Sequence, residues 1–451
     1  MTTTTATATA TPFKVIVVGG GPVGLTAAHA LHHAGIDFIV LERRDSVVLD
    51  EGASLVLAPQ SLRVMHQLGL LPRLHEIGGE LHRGKAYTRD GRLIADTPAL
   101  RIVRKNHGSG PLAFHRAQLV EALYDGLPAA AKQRYQLNKR VVGIETTADG
   151  VRVTCGDGSS YAGTMVLGVD GVHSATRAAM RALALAEDPT READWDAEPP
   201  FTAAYRCLWC SFPRPAEAEA GKNYETQAAG HSVMFITGRE RGWIFCYERL
   251  AEPSRRRVVY TAADMERFVE RFAEYPVSRR LKVKDVWAAR VTAGMANLEE
   301  GVLRHWSWGR IVLAGDACYK YTPNAGRGLN NGIQDVVVLC NKLHAMLEAA
   351  PVQMLDAAAL GELFAAYKKT REIPVRGEAK QSADLTRMHA WEGVKSYIMA
   401  RYVMSWWLVQ WYLLNYPAAR GIRKAWVLDY IPAEEPFQGL VSWKHPLKSK
   451  L

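Results

Sequence analysis

The sequence predicts an α/β protein with an inserted antiparallel sheet and a helical C-terminal segment. Three observations predict it. A buried strand, a glycine pattern, a helix and a second strand follow one another from Phe13 to Glu42. A second strand–glycine–helix unit appears only at Gly309. Between them, from Pro199 to Arg290, the chain alternates like antiparallel strands with charged turns. The expected parts are a disordered tail (1–12), the first part of a βαβ domain (13–198), a sheet insertion (199–300), the second part of the βαβ domain (301–385) and a Trp-rich helical segment (386–451).

The 451 residues are 48% hydrophobic and 23% charged, which excludes a largely disordered chain. The formal net charge of +10 suits phosphates, a membrane surface or nucleic acid, and composition does not choose among them. Six Cys make no disulfide scaffold in so long a chain. Cys207 and Cys210 lie in a strand-like stretch without a second pair for zinc, so they read as packing. His residues are scattered without ligand spacing, and no metal is expected. The Arg255–Arg257 and Arg279–Arg280 clusters lack an aromatic RNA-binding motif and read as solvated turns, so no nucleic-acid partner is expected.

Phe13 to Val18 is a short apolar run rich in β-branched residues, the mark of a buried parallel strand. It runs into Gly19-Gly20-Gly21-Pro22-Val23-Gly24, the G-x-G-x-x-G pattern. Leu25 to Ala34 reads as a helix, and Asp37 to Leu41 as a strand ending at Glu42, 18 residues after Gly24. Gly19 would allow the tight turn, Gly21 would let backbone N–H groups approach a pyrophosphate, and Gly24 would let helix pack on strand. Glu42 would accept hydrogen bonds from adenosine ribose hydroxyls. Together these features predict a Rossmann-like dinucleotide site.

An NAD domain would continue in βαβ repeats. Instead GASLVLAPQSLRVMHQLGL follows from Gly52, then FHRAQLVEAL from Phe114, then strand alternation from Arg140 to Val169 with turns at Asp149-Gly150 and Gly156–Gly158. Gly309 to Ala314 is another buried strand. It delivers Gly315-Asp316-Ala317, then TPNAGRG from Thr322 and a helix from Leu329 to about Leu347. Asp316, at a strand end beside a glycine-rich helix start, would grip a ribityl hydroxyl. The helix N-terminus would face the pyrimidine edge of a flavin.

GGGPVG with Glu42, VDGVHSATR and GDACYKYTPNAGRGLNNGIQD resemble the motifs of the FAD-dependent aromatic hydroxylases, the group A flavoprotein monooxygenases, in that family's order. GASLVLAPQSLRVMHQLGL and NNGIQDVV are similar to the fungal branch that modifies secondary metabolites. The resemblance spans about Phe13 to Leu347. It implies that Glu42 and Arg116 hold the ADP half of FAD, with Ala53 near the cofactor. It puts Asp170 near the pyrophosphate and the path of the nicotinamide. Asp316 would bind the ribityl chain, and Gly326, Gly328 and Leu329 would line the isoalloxazine. Arg327 stands where the family commonly has a neutral residue.

The implied reaction is monooxygenation. NAD(P)H reduces FAD, O2 forms a flavin hydroperoxide, and one oxygen atom passes to a bulky, electron-rich substrate by epoxidation or hydroxylation. Such chemistry needs the substrate held and water excluded more than it needs a general base. The alternatives are a flavin reductase or dehydrogenase on the same fold, or an FAD-containing carrier that does not oxidise its ligand. The inserted sheet would supply a pocket for an apolar or aromatic molecule, with Tyr205, Trp209, Phe235, Trp243, Phe245 and Tyr247 as candidates. Alternation sends about half of them to the far face. Arg206 is the catalytic candidate, because a guanidinium on an apolar strand is costly to bury without a task. Its alternative is an outward-facing salt bridge. Asp50 and Glu51 are weaker acid–base candidates.

Two further expectations concern location. Ile398 to Leu414 holds Trp406, Trp407, Trp411, Tyr402 and Tyr412, and reads as an interfacial membrane helix, a buried helix or a pocket wall. The last residues, Ser449-Lys450-Leu451, match the peroxisomal import address. In a eukaryote they imply an import receptor as partner; otherwise the protein would be cytoplasmic. The N-terminal Thr/Ala stretch has no charged or apolar region, so no secretory signal is expected.

Overall fold

The computed structural model describes residues 13–50, 52–147, 149–349 and 356–449. The expected tail, Glu51 and the last two residues of the import address lie outside them. The first apolar run forms the strand Lys14–Val18, with Val15, Ile16 and Val17 wholly buried. It pairs in parallel with Asp37–Leu41 on one side and Met165–Gly168 on the other. Met165–Gly168 pairs in parallel with Ile311–Leu313. One six-stranded sheet therefore joins the two separated stretches of sequence. The helices Pro22–His33 and Gly328–Ala349 pack against each other beside it. The alternation after Arg140 forms the small antiparallel sheet of Val141–Thr146, Val151–Cys155 and Ser160–Gly163 before the chain returns to the main sheet.

The insertion forms an eight-stranded sheet centred on Thr202–Pro213, Arg241–Ser254 and His231–Thr237. The turn at Gly238 closes as expected, its N–H donating to the Arg241 carbonyl at 2.8 Å. The divisions drawn from sequence need correction. Arg83–Thr88 joins this sheet by pairing in parallel with Lys222–Ala228, and brings Leu93–Thr97 with it. The boundary at 300 cuts the strand Thr292–Val302, and the boundary at 385 cuts the helix Ala357–His389. A parallel pairing between segments so far apart leaves no local signal in the sequence.

The sheet's two faces have separate cores. Leu208, Cys210 and Phe212 pack against Phe268 and Phe272 of the helix Ala262–Phe272. Cys207, Trp243, Phe245 and Tyr247 pack on the opposite face with Leu81 and Ala113. Three residues apart on a period-two strand, Cys207 and Cys210 point to opposite faces, so the pair packs rather than binds. The C-terminal segment is helical only to Ile422 and is broken into short turns: Gly393–Ile398, Met399–Val403, Trp407–Leu413, Leu414–Ala418 and Ala419–Ile422. No helix among the described residues is long and apolar enough to cross a membrane.

A buried ion pair ties the late elements together. Arg371, on the helix Ala357–His389, donates from Nε to Asp335 Oδ1 at 2.7 Å. Asp335 Oδ2 accepts the Gly315 N–H at 3.0 Å and the Tyr319 hydroxyl at 2.5 Å. Arg371 also donates to the Asn331 side-chain oxygen at 2.7 Å. Removing one partner would leave the other charged and buried. Asp335→Ala is expected to lower unfolding stability by about 3–5 kcal/mol, read by chemical denaturation of the holoprotein. Stability within about 1 kcal/mol of the parent would show that the pair does not hold the fold.

Candidate functional site

A cavity of about 990 Å³ runs between the two sheets. At one end stands the glycine loop. Gly19 has φ +109°, and a Cβ there would lie 2.6 Å from the Val169 carbonyl oxygen. A Cβ on Gly24 would lie 2.0 Å from the Gly19 oxygen, so helix and loop touch backbone to backbone. Gly21 differs: a Cβ there would meet nothing within 4 Å, because the loop faces open space. That opening beside the N-terminus of Pro22–His33 is the cradle a pyrophosphate requires.

Glu42, at the end of Asp37–Leu41, is buried and lines the cavity. Its carboxylate accepts the Gly20 N–H at 2.7 Å and the Arg44 N–H at 2.9 Å. Tyr135, which the sequence reading missed, closes the other side by donating to the Gly20 carbonyl at 2.9 Å. Glu42 thus braces the loop and keeps acceptor capacity for a ribose. Arg116 begins the helix Arg116–Asp125, and its Cδ passes 3.5 Å from where a Cβ on Gly52 would stand. Ala53 lies beside it on the cavity wall.

Asp170 also lines the cavity, but its oxygens are turned to the protein. They accept from the Ser174 hydroxyl at 2.5 Å, the Thr176 N–H at 3.0 Å and the Thr176 hydroxyl at 3.1 Å. Burial pushes its carboxyl upward from the ordinary range, against these donors. Arg177 joins the second and third motifs by donating to the Val172 carbonyl at 2.9 Å and the Ala317 carbonyl at 3.2 Å.

The late strand delivers Asp316 to the cavity, where its carboxylate meets the Lys320 ammonium. Asp316 Oδ1 lies 3.5 Å from where a Cβ on Gly328 would stand. Gly326 (φ +61°), Gly328 and Leu329 continue the wall into the start of the helix Gly328–Ala349. Arg327 lines the wall too, its guanidinium 3.7 Å from Glu378. Arg43, Arg44, Lys139 and Arg140 add positive charge at the glycine-loop end. An elongated cavity with an open glycine cradle, cations and a helix N-terminus fits FAD.

Beyond this wall the cavity meets the inserted sheet at Asn223, Met234, Ile236 and Phe245. Of the six aromatic candidates, Phe245 reaches the cavity. Trp209, Trp243 and Tyr247 pack on the same face, while Phe235 belongs to the far core. Tyr205 donates its hydroxyl to Glu392 at 2.6 Å. Asn223, Met234 and Ile236 were missed because only pairing sets which alternate residues face inward.

Arg206 needs correction. It shares the far face with Leu208 and stacks over Phe268, 5.4 Å from the ring centroid. Its Nε donates to Glu248 at 2.6 Å, and Glu248 also pairs with Arg271 at 3.1 Å. It does not line the cavity, so the salt-bridge alternative fits the geometry. Asp50 accepts from His115 Nε2 at 2.6 Å and pairs with Arg241, and it does not line the cavity either.

Gly21→Val should weaken FAD binding by about tenfold or more, the effect of losing roughly 1.4 kcal/mol of contact, with the circular dichroism spectrum unchanged. FAD titration by flavin fluorescence checks it. Arg206→Ala should keep turnover per bound FAD and lose about 1 kcal/mol of stability; a collapse in turnover at full FAD content would return Arg206 to the reaction.

The model of an FAD binding domain matches residues 12–362. The FAD-dependent monooxygenase spyC of Aspergillus fumigatus is 34% identical over 87% of this chain and 82% of its own length. The FAD-dependent monooxygenase pyr5 of the same fungus is 32% identical over 96% of this chain and 94% of its own. The fold is also that of Klebsiella pneumoniae HpxO complexed with FAD and uric acid, at a TM-score of 0.70 and 22% identity, covering 91% of this chain and 96% of that one. The chain therefore belongs to the FAD-binding-domain family, among its group A FAD-dependent monooxygenases of the fungal secondary-metabolite type.

Proposed function

We propose that the protein inserts one oxygen atom from O2 into a bulky, electron-rich secondary metabolite such as a prenylated, indole or phenolic compound, with NAD(P)H as reductant. The observation that carries this reading is one cavity, continuous from the glycine loop past Gly326–Leu329 to the apolar face of the inserted sheet. FAD bound there would supply the redox chemistry that passes one oxygen atom of O2 to the substrate, with electrons from NAD(P)H.

The chain's own part is to bind, orient and exclude water. Gly19, Gly21, Gly24, Glu42, Arg116 and Asp316 would hold the cofactor, with Asp170 shaping the wall between them. The helix starting at Gly328 presents its positive end where charge develops. Leu81, Leu100, Met234, Ile236 and Phe245 form an apolar wall suited to a large carbon skeleton. Asn223 Oδ1 and Asn324 Nδ2 are buried without a hydrogen-bond partner, and both residues line the cavity. The two residues add polar groups to an otherwise apolar wall, where an oxygen-bearing part of the substrate would be placed.

The proposal extends to location. Where Ser449-Lys450-Leu451 is the free C-terminus, it would direct import into peroxisomes; the chain is held in place as far as Lys448, whose carbonyl accepts the Ala433 N–H at 2.8 Å. Deleting Leu451 from an N-terminally tagged chain should move it to the cytosol, and an unchanged location would sink the idea.

With its substrate, the holoenzyme should consume NADPH and O2 together and yield a product heavier by one oxygen atom, read by mass spectrometry. NADPH oxidation unchanged under nitrogen would instead indicate a reductase. No oxidation in air with a verified ligand would indicate a carrier. Met234→Trp, which fills the substrate end, should raise KM for a bulky substrate about tenfold and leave FAD affinity unchanged.

A further inference from the structure

The C-terminal turns expose an apolar surface that the folded chain does not cover. Trp406 is 65% exposed, Leu408 70% and Tyr412 56%; Tyr402, Trp407 and Trp411 stand beside them in sequence and are also exposed. Scattered exposed apolar residues need no explanation, but a cluster of Trp and Tyr on adjoining turns does. Its charge is one-sided: residues 393–428 contain Lys395, Arg401, Arg420, Arg423 and Lys424 and no Asp or Glu. The neighbouring helix Ala99–His107 touches these turns and exposes Arg101 and Lys105, while its Arg104 pairs with Glu80.

We infer that this face docks on the surface of a bilayer carrying anionic phospholipid, with the Trp and Tyr rings at headgroup depth and the cations among the phosphates. Aromatic rings combine an apolar body with a polar tip, which suits the boundary between headgroups and acyl chains. Cations within a Debye length of an anionic leaflet add attraction. A second copy of the chain is a poorer occupant, because a two-fold contact would bring two acid-free cationic segments together. The geometry allows lying on the membrane, not crossing it: the turns are short and broken.

The docking face also adjoins the cavity. Leu414, Ala418 and Ile422 line the cavity from the same turns, and Leu100 and Val103 line it from the basic helix. A docked molecule would hold its apolar cavity against the phase into which a bulky apolar metabolite partitions. This last step rests on the proposed substrate class; the docking itself does not.

The test is flotation of the FAD-loaded protein with vesicles of phosphatidylcholine alone or mixed with phosphatidylserine. The protein should float with the mixed vesicles, bind pure phosphatidylcholine several-fold less, and lose part of its binding at high salt. A W406S/W407S/L408S variant should bind about tenfold less while keeping its flavin absorbance. No flotation with either vesicle would overturn the inference. So would a soluble dimer that the triple variant converts to monomer without any vesicle binding. Substrate turnover is not involved, so failure here and failure of the proposed reaction are separately visible.

Discussion

The buried pair Asp335–Arg371 is the constraint on which the second half of the site depends. Asp335 is fully buried, and its carboxylate takes donors from a strand-end turn, a tyrosine and the long helix that carries Arg371. Such a pair contributes little net stability compared with apolar packing, because desolvating two charges offsets much of their attraction. What it fixes is position. The Gly315 N–H is tied to Asp335, and the next residue, Asp316, stands on the cavity wall. The helix that holds Asp335 begins at Gly328, two turns earlier, so the flavin-edge loop is anchored by its Gly315 end to the same helix into which it runs.

Close backbone contact fixes the first half instead. Gly19 meets the Val169 backbone and Gly24 meets the Gly19 backbone so tightly that neither glycine has room for a side chain, and Gly20 is held between Glu42 and Tyr135. Arg177 then links the two halves through the Val172 and Ala317 carbonyls. The charged groups at this site work largely as braces. Asp170 and Glu42 point most of their acceptors at backbone N–H groups or hydroxyls, which shapes the wall before any ligand arrives. Such preorganisation reduces the ordering cost of binding a long, flexible dinucleotide.

The features legible in sequence are those whose physics is local. Glycine spacing, strand hydrophobicity and the acid at a strand end each concern a few adjacent residues, and those elements stand where the sequence reading placed them. Facing direction in the inserted sheet was not legible. Arg206 and Cys207 are neighbours, yet one meets Phe268 on the far face and the other packs on the face toward the cavity. Which phase points inward depends on the helix Ala262–Phe272 and on strands paired from elsewhere in the chain. The parallel pairing that carries Arg83–Thr88 into this sheet likewise leaves no local signal. Asp335 is an acid within an apolar helix whose partner lies 36 residues on, and no periodicity links the two.

The broken C-terminal segment serves two surfaces at once. A single 3.6-residue helix presents one stripe inward and the opposite stripe outward, at fixed spacing. Here the chain must line a cavity with Leu414 and Ala418 and also expose Trp411, Tyr412 and Tyr416. The wider turn Leu414–Ala418, with Pro417 inside it, changes the helical phase at that point. Leu414 and Ala418, four residues apart, share the inward face, and Tyr412 and Tyr416, also four apart, share the outward one. An apolar surface exposed so close to an apolar cavity would be a solubility liability if it served only the fold. Joining the two surfaces through one short segment gives that liability a use, since the turns that line the cavity also set how the molecule meets its surroundings.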